Sequence, residues 1–202
     1  MNFEKGYLYH IYNQGNNKQK IFFNRGNYLF FQKKINEYIL PYADIIAWCL
    51  MPNHFHLMVL IKAIESQGFT WSEALTNTSP GQEIKTRTLN DSIGILLRTY
   101  TRAINKQKEI SGSLFRKETK SECINCFKGD RPSYIQNNAL INNHLTDKQY
   151  PQICFNYIHQ NPVKANLTVR ETDWEFSSSR DYEGLRKSLL INKEVSKEYV
   201  EF

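Results

Sequence analysis

The sequence predicts an α+β fold: an antiparallel sheet of about four to five strands in split βαβ order, flanked by helices. Three observations lead there. β-prone apolar runs occur near residues 6–12, 44–50 and 54–62, while two long segments between and after them carry apolar residues at helical spacing. Their order along the chain is strand, helix, strand, strand, helix, strand. At 202 residues, 41% hydrophobic and 23% charged, the chain suits a single core, so one domain over residues 1–202 is expected.

Gly6 to Tyr12 (GYLYHIY) alternates and reads as the first strand. Asn13 to Lys18 is a polar turn, after which Ile21-Phe22-Phe23 resumes apolar character. Between Asn27 and Leu40, Leu29, Phe30, Ile35, Tyr38 and Ile39 fit helical spacing, with Asn24 or Asn27 as cap and Pro41 after the end. Asp44 to Leu50 reads as a strand, Met51-Pro52-Asn53 as a tight turn and His54 to Lys62 as the hairpin partner. Residues 63–90 are polar and read as a loop or insertion.

From Leu89 to Lys108, Ile93, Leu96, Leu97, Tyr100 and Ile104 form an apolar helical stripe, with Arg98, Arg102, Lys106 and Lys108 around it. Gly112 to Phe115 suggests a short strand, and the Asn-rich residues 118–148 a second loop or insertion. Gln152 to Asn161 reads as a helix with Pro151 in its first turn and Pro162 stopping it. Residues 168–202 form a C-terminal tail. This order is that of ferredoxin-like and RRM-like sheets.

Lys and Arg number 26 against 20 Asp and Glu, a net charge of +6, which suits a polyanionic partner. The 12 Tyr, 12 Phe and 3 Trp mixed among these cations offer stacking surfaces for unpaired bases. No apolar run approaches the roughly 20 residues of a membrane span, and the start MNFEKGYLYH lacks a signal-peptide apolar stretch. No membrane partner and a cytoplasmic address are therefore expected, and with them free thiols at Cys49, Cys123, Cys126 and Cys154. Cys123-Ile124-Asn125-Cys126 is a CxxC without the second pair that a zinc site needs.

Chemistry concentrates in Met51-Pro52-Asn53-His54-Phe55-His56, which places two of the five histidines at the mouth of an apolar strand. Strand residues two apart share a face about 7 Å apart, so His54 and His56 look one way while Phe55 and Leu57 look the other. Two imidazoles on one face can converge on a cation, or can simply hydrogen-bond at the sheet end. Tyr157 and Asn161, four apart, share a helical face. They can present a phenolic nucleophile beside an oxygen ligand, or serve as a core aromatic and a helix cap.

Together these segments resemble the REP-associated tyrosine transposase family, within the HUH class of single-strand DNA endonucleases. Tyr9-His10-Ile11-Tyr12-Asn13-Gln14-Gly15-Asn16-Asn17 is similar to the family's opening strand and turn, with Gln14 where an Arg is usual. Trp48 through His56 resembles its His-hydrophobic-His strand, the most specific of the signals. Tyr157-Ile158-His159-Gln160-Asn161-Pro162-Val163-Lys164-Ala165 resembles its tyrosine helix, and Asp173-Trp174 through Ser177-Ser178 its closing motif. The motifs follow the family's order over most of the chain.

The resemblance implies a metal-dependent endonuclease and strand transferase that joins Tyr157 to a 5′-phosphate of single-stranded DNA near hairpins. It implies a divalent cation, Mg or Mn, held by His54, His56 and Asn161. It leaves monomer or homodimer open. Arg98, Arg102, Lys106 and Lys108 are candidates to track the DNA backbone. Tyr100 is the second candidate nucleophile, but lacks an Asn one turn on. His159 points away from the Tyr157 face, as a structural or DNA-facing residue, and neither His10 nor His144 receives a role. The alternative is a non-catalytic single-strand or hairpin DNA-binding module. A zinc hydrolase is a weaker third reading, since the chain has no HExxH and no obvious carboxylate beside the histidines.

Overall fold

The computed structural model describes residues 1–67, 86–126 and 149–202. Its centre is an antiparallel sheet of four strands: β1 (Leu8–Gln14), β2 (Ala43–Met51), β3 (His54–Ile61) and β6 (Lys120–Cys123), in the order β2-β3-β1-β6. β1 and β2 both pair antiparallel with β3, which lies between them, so the connection from β1 to β2 is the expected split βαβ. β4 (Glu65–Gln67) and β5 (Thr86–Thr88) form a separate two-stranded ribbon within the expected 63–90 insertion.

Helix α1 (Arg25–Tyr38) starts where the sequence offers two Asn caps, and both are used: the Asn24 side chain accepts from the Asn27 N–H, while Asn27 Oδ1 accepts from the Asn24 N–H. Helix α2 (Leu89–Lys108) has the same reciprocal arrangement between Thr88 and Asp91. Both helices cover the sheet face bearing Tyr9, Ile11, Phe55, Leu57 and Val59, and Phe31, Ile35, Leu96 and Tyr100 complete that core. Pleating sends Leu8, Met58, Ala47 and Cys49 to the other face. There helix α3 (Gln149–Lys164) packs Cys154, Phe155 and Ile158 against them.

Residues 168–202 pack along β2. The Leu50 N–H donates to Phe176 O at 2.8 Å and the Ser178 N–H to Trp48 O at 2.9 Å, which extends the sheet edge by a short antiparallel contact. Trp174 Nε1 donates to Leu50 O at 3.0 Å. Two single-turn helices follow, α4 (Ser179–Tyr182) and α5 (Lys193–Ser196).

Three local expectations need correction. The segment Gly112 to Phe115 supplies only an isolated bridge, from Phe115 to Gly15, and the edge strand is the polar Lys120–Cys123. As the edge strand of the described sheet, none of its residues fully buried, it needs no apolar alternation, so the sequence pattern hides it. Pro162 lies inside α3 rather than ending it: its ring is buried, and the Ala165 N–H still closes onto Asn161 O at 3.0 Å. Cys123 and Cys126, expected as free thiols, are joined in a disulfide just past β6, whereas Cys49 and Cys154 are buried outside it. No helix among the described residues is long and apolar enough to cross a membrane.

Candidate functional site

The register of β1, β3 and β6 assembles a polar patch in the middle of the sheet face that α3 covers. Tyr12 sits opposite His56 on β3 and opposite Lys120 on β6, and His10 sits opposite Glu122. With His54 two residues before His56, one face thus carries His10, Tyr12, His54, His56 and Glu122. Burial of so many polar groups is offset by pairing them. His10 Nε2 and His56 Nδ1 are 2.9 Å apart, Tyr12 donates to Glu122 Oε1 at 2.9 Å, and His54 Nδ1 lies 2.6 Å from Asn53 Oδ1.

Helix α3 lowers Tyr157 onto this patch. Its ring meets those of His56 and His10 edge-on, with centroids 5.5 and 5.9 Å away. Asn161, one turn later, donates from Nδ2 to Tyr157 O at 2.8 Å, and its side chain also interacts with the His54 ring and the Tyr157 phenol. The four residues singled out from the sequence, His54, His56, Tyr157 and Asn161, therefore meet in space. Tyr12, Gln14, His54, His56, Arg116 and Tyr157 are among the residues lining a cavity of about 250 Å³.

Burial sets the electrostatics. It lowers the pKa of His54 and pushes that of His56 well below the ordinary imidazole value, where the neighbouring His10 and His54 act in the same direction. Both rings are therefore neutral at pH 7, the form that donates a lone pair to a metal. Burial raises the Tyr157 phenol, an effect that Asn161 opposes.

Two ring nitrogens here could hold a cation. His56 Nε2 is buried with no hydrogen-bond partner among the described residues, an uncommon state for a polar atom. If the 2.6 Å contact with Asn53 holds the proton on His54 Nδ1, Nε2 of that ring is also a lone pair. Among the described residues no group of three His, Cys, Asp or Glu is arranged to hold a metal. The third protein donor would then be the carboxamide of Asn161, a hard oxygen compatible with Mg or Mn.

Tyr100, the other candidate nucleophile, is fully buried and donates to Ile21 O at 2.7 Å, a structural bond beneath the opposite sheet face. His159 is structural as well: it is buried, its Nε2 is 2.7 Å from Ser178 Oγ, and burial depresses its pKa to about 3. His144 lies outside the described residues. His10 and Glu122 were not legible as site residues, because only the pairing of β1 with β3 and β6 brings them to His56.

A second concavity, of about 870 Å³, adjoins the first through Arg116, Glu118 and Lys120, which line both. Arg98 and Arg102 from α2 line its far side, and Arg116, Lys117 and Lys120 its near side. Of the four cations picked on α2, only Arg98 and Arg102 enter this groove. Lys106 is not among its lining residues, and Lys108 instead covers the Phe23 ring, with Nζ 4.7 Å from the centroid.

No protein-family model matches the chain, and no curated protein does. Among solved structures, it is similar to a REP-associated tyrosine transposase bound to a REP hairpin. The likeness covers 92% of this chain and 86% of that one, with a TM-score of 0.51 and 16% sequence identity. At that identity the likeness concerns the fold.

Proposed function

We propose that the chain is a metal-dependent single-strand DNA endonuclease and strand transferase of the tyrosine transposase type, acting beside DNA hairpins. The observation that carries this reading is the convergence of Tyr157 from α3 with His54 and His56 from β3 around one cavity, beside a basic groove. A hairpin-bound transposase of similar fold favours the same class of partner.

In this reading Arg98, Arg102, Arg116, Lys117 and Lys120 hold the phosphates of an unpaired strand and lead it to the cavity. Tyr157 Oη attacks the phosphorus of one phosphodiester. The Oη–P bond forms, the P–O3′ bond breaks, and the 3′-oxygen departs as a hydroxyl, leaving a 5′-phosphotyrosine that a second 3′-hydroxyl can reverse or transfer. The Tyr157 proton must be lost during attack, because burial keeps the phenol protonated at neutral pH. Asn161 orients the phenol, and His54, His56 and Asn161 are the residues that would hold a divalent cation. Such a cation would neutralise charge on the phosphate and ease phenol ionisation.

The test is incubation of the protein with a hairpin-bearing single strand and Mn2+ or Mg2+, followed by denaturing electrophoresis. A covalent protein–DNA species is expected from the wild type and none from Tyr157→Phe. An adduct that survives in Tyr157→Phe refutes the nucleophile. Salt-sensitive binding without any adduct in the wild type points instead to a non-catalytic DNA-binding module.

A further inference from the structure

We propose that His10 and Glu122 are positioning residues that act through His56, fixing which of its ring nitrogens offers a lone pair to the cavity. The inference rests on the reading of His56 as a metal ligand. His10 Nε2 and His56 Nδ1 face each other at 2.9 Å, so one proton must lie between them: two lone pairs repel there, and two N–H groups collide. Which ring owns it depends on the far side of His10.

That far nitrogen, Nδ1, faces Glu122 Oε2 at 3.9 Å, an ion-pair distance rather than a hydrogen bond. Glu122 is held there by its other oxygen, which accepts from the Tyr12 hydroxyl at 2.9 Å. A carboxylate at that range favours a proton on the nitrogen facing it. His10 then carries its proton on Nδ1 and offers Nε2 as acceptor, so His56 donates from Nδ1. The remaining nitrogen, His56 Nε2, is thereby a lone pair, and it is a buried atom with no hydrogen-bond partner among the described residues. The opposite tautomer would turn a His10 Nδ1 lone pair toward the Glu122 carboxylate, which repels it, and place a buried N–H at His56 Nε2.

Strand pairing makes the chain of contacts rigid. His10 is opposite Glu122 across one ladder, Tyr12 is opposite His56 across the other, and the His10 and His56 rings lie within 20° of parallel with centroids 5.0 Å apart. A carboxylate behind a ligand histidine is a common outer-shell arrangement in metal sites. Here a second imidazole is interposed between the two.

The experiment uses the full chain, labelled with 15N histidine, in two measurements. Long-range 1H–15N correlation on metal-free protein reads the His56 tautomer, and electron paramagnetic resonance of free Mn2+ reads affinity. Wild type is expected to carry the His56 proton on Nδ1. Glu122→Gln and His10→Leu should move it toward Nε2 and weaken Mn2+ binding by about 10–100-fold. His10→Gln, whose amide oxygen can stand where Nε2 stands, should restore both readings toward wild type. Glu122 is partly exposed on the edge strand, so Glu122→Gln decides the matter if His10→Leu does not fold. A wild-type His56 protonated on Nε2 overturns the proposal. So do variants with unchanged tautomer and unchanged affinity. A wild type that shows the Nδ1 tautomer, lost in the variants, but binds no Mn2+ supports the relay and refutes the reading of His56 as a metal ligand.

Discussion

The basic groove gives a prediction with a number attached. Arg98, Arg102, Arg116, Lys117 and Lys120 line one concavity and are all solvent-exposed. On single strands each neutralised phosphate contributes about −0.7 to the slope of log K against log salt. If all five reach phosphates, the slope is roughly −3.5, and raising salt fourfold weakens binding on the order of 100-fold. Removing one groove cation, as in Arg102→Ala, should flatten the slope by about 0.7. Lys106→Ala and Lys108→Ala remove equal charge from the same helix outside the groove and should leave the slope near wild type. The assay is fluorescence anisotropy of a labelled unpaired oligonucleotide over a salt series, with the Tyr157→Phe protein to prevent turnover. Equal slope changes from Lys106→Ala and Arg102→Ala would mean that general charge, not this groove, holds the strand.

Two further outcomes follow from burial and close packing. His159 has a folded-state pKa near 3 against an ordinary 6.5, so between those values the unfolded chain binds more protons and stability falls as pH falls. The loss is about 1.4 kcal/mol per pH unit within that window and absent above it, and urea melts at pH 7 and pH 5 should show it shrinking in His159→Gln. An equal pH dependence in wild type and variant would refute the assignment. At Gly15 a Cβ would stand 2.2 Å from Gln19 O, a backbone atom that cannot swing aside. Gly15→Ala should therefore cost about 1–3 kcal/mol of stability by thermal melt, and an unchanged midpoint would show that the turn yields freely.

What the sequence shows and what it hides divides along the range of the contacts. His54 and His56 are legible because two-residue periodicity puts them on one face whatever the strand pairs with. Four residues make about one helical turn, so Tyr157 and Asn161 are legible as neighbours, while only the resemblance to a tyrosine helix marks them as a site. His10, Glu122 and Tyr12 have no such local signature, since their meeting depends on the register of strands up to about a hundred residues apart in sequence. The groove was half visible. The spacing of Arg98 and Arg102 marks them as neighbours on α2, but Arg116, Lys117 and Lys120 come from a stretch whose polarity reads as loop. Lys106 and Lys108 look equivalent in sequence, yet helix rotation carries them away from that side. Pro162 misleads for a related reason, because burial of its ring and the turn that follows it outweigh the bond it cannot make.

His10 and His56 lie on the two central strands of the sheet, each flanked by a hydrogen-bonded neighbour on both sides. Such strands open only when the whole domain unfolds. The imidazole pair is therefore as durable as the fold itself, and its amides should exchange with solvent at the slowest rate in the molecule. Tyr157 arrives on a separate helix laid over that surface. The phenol and the imidazole pair are thus borne by different structural units, and hydrogen exchange would resolve the two by their rates.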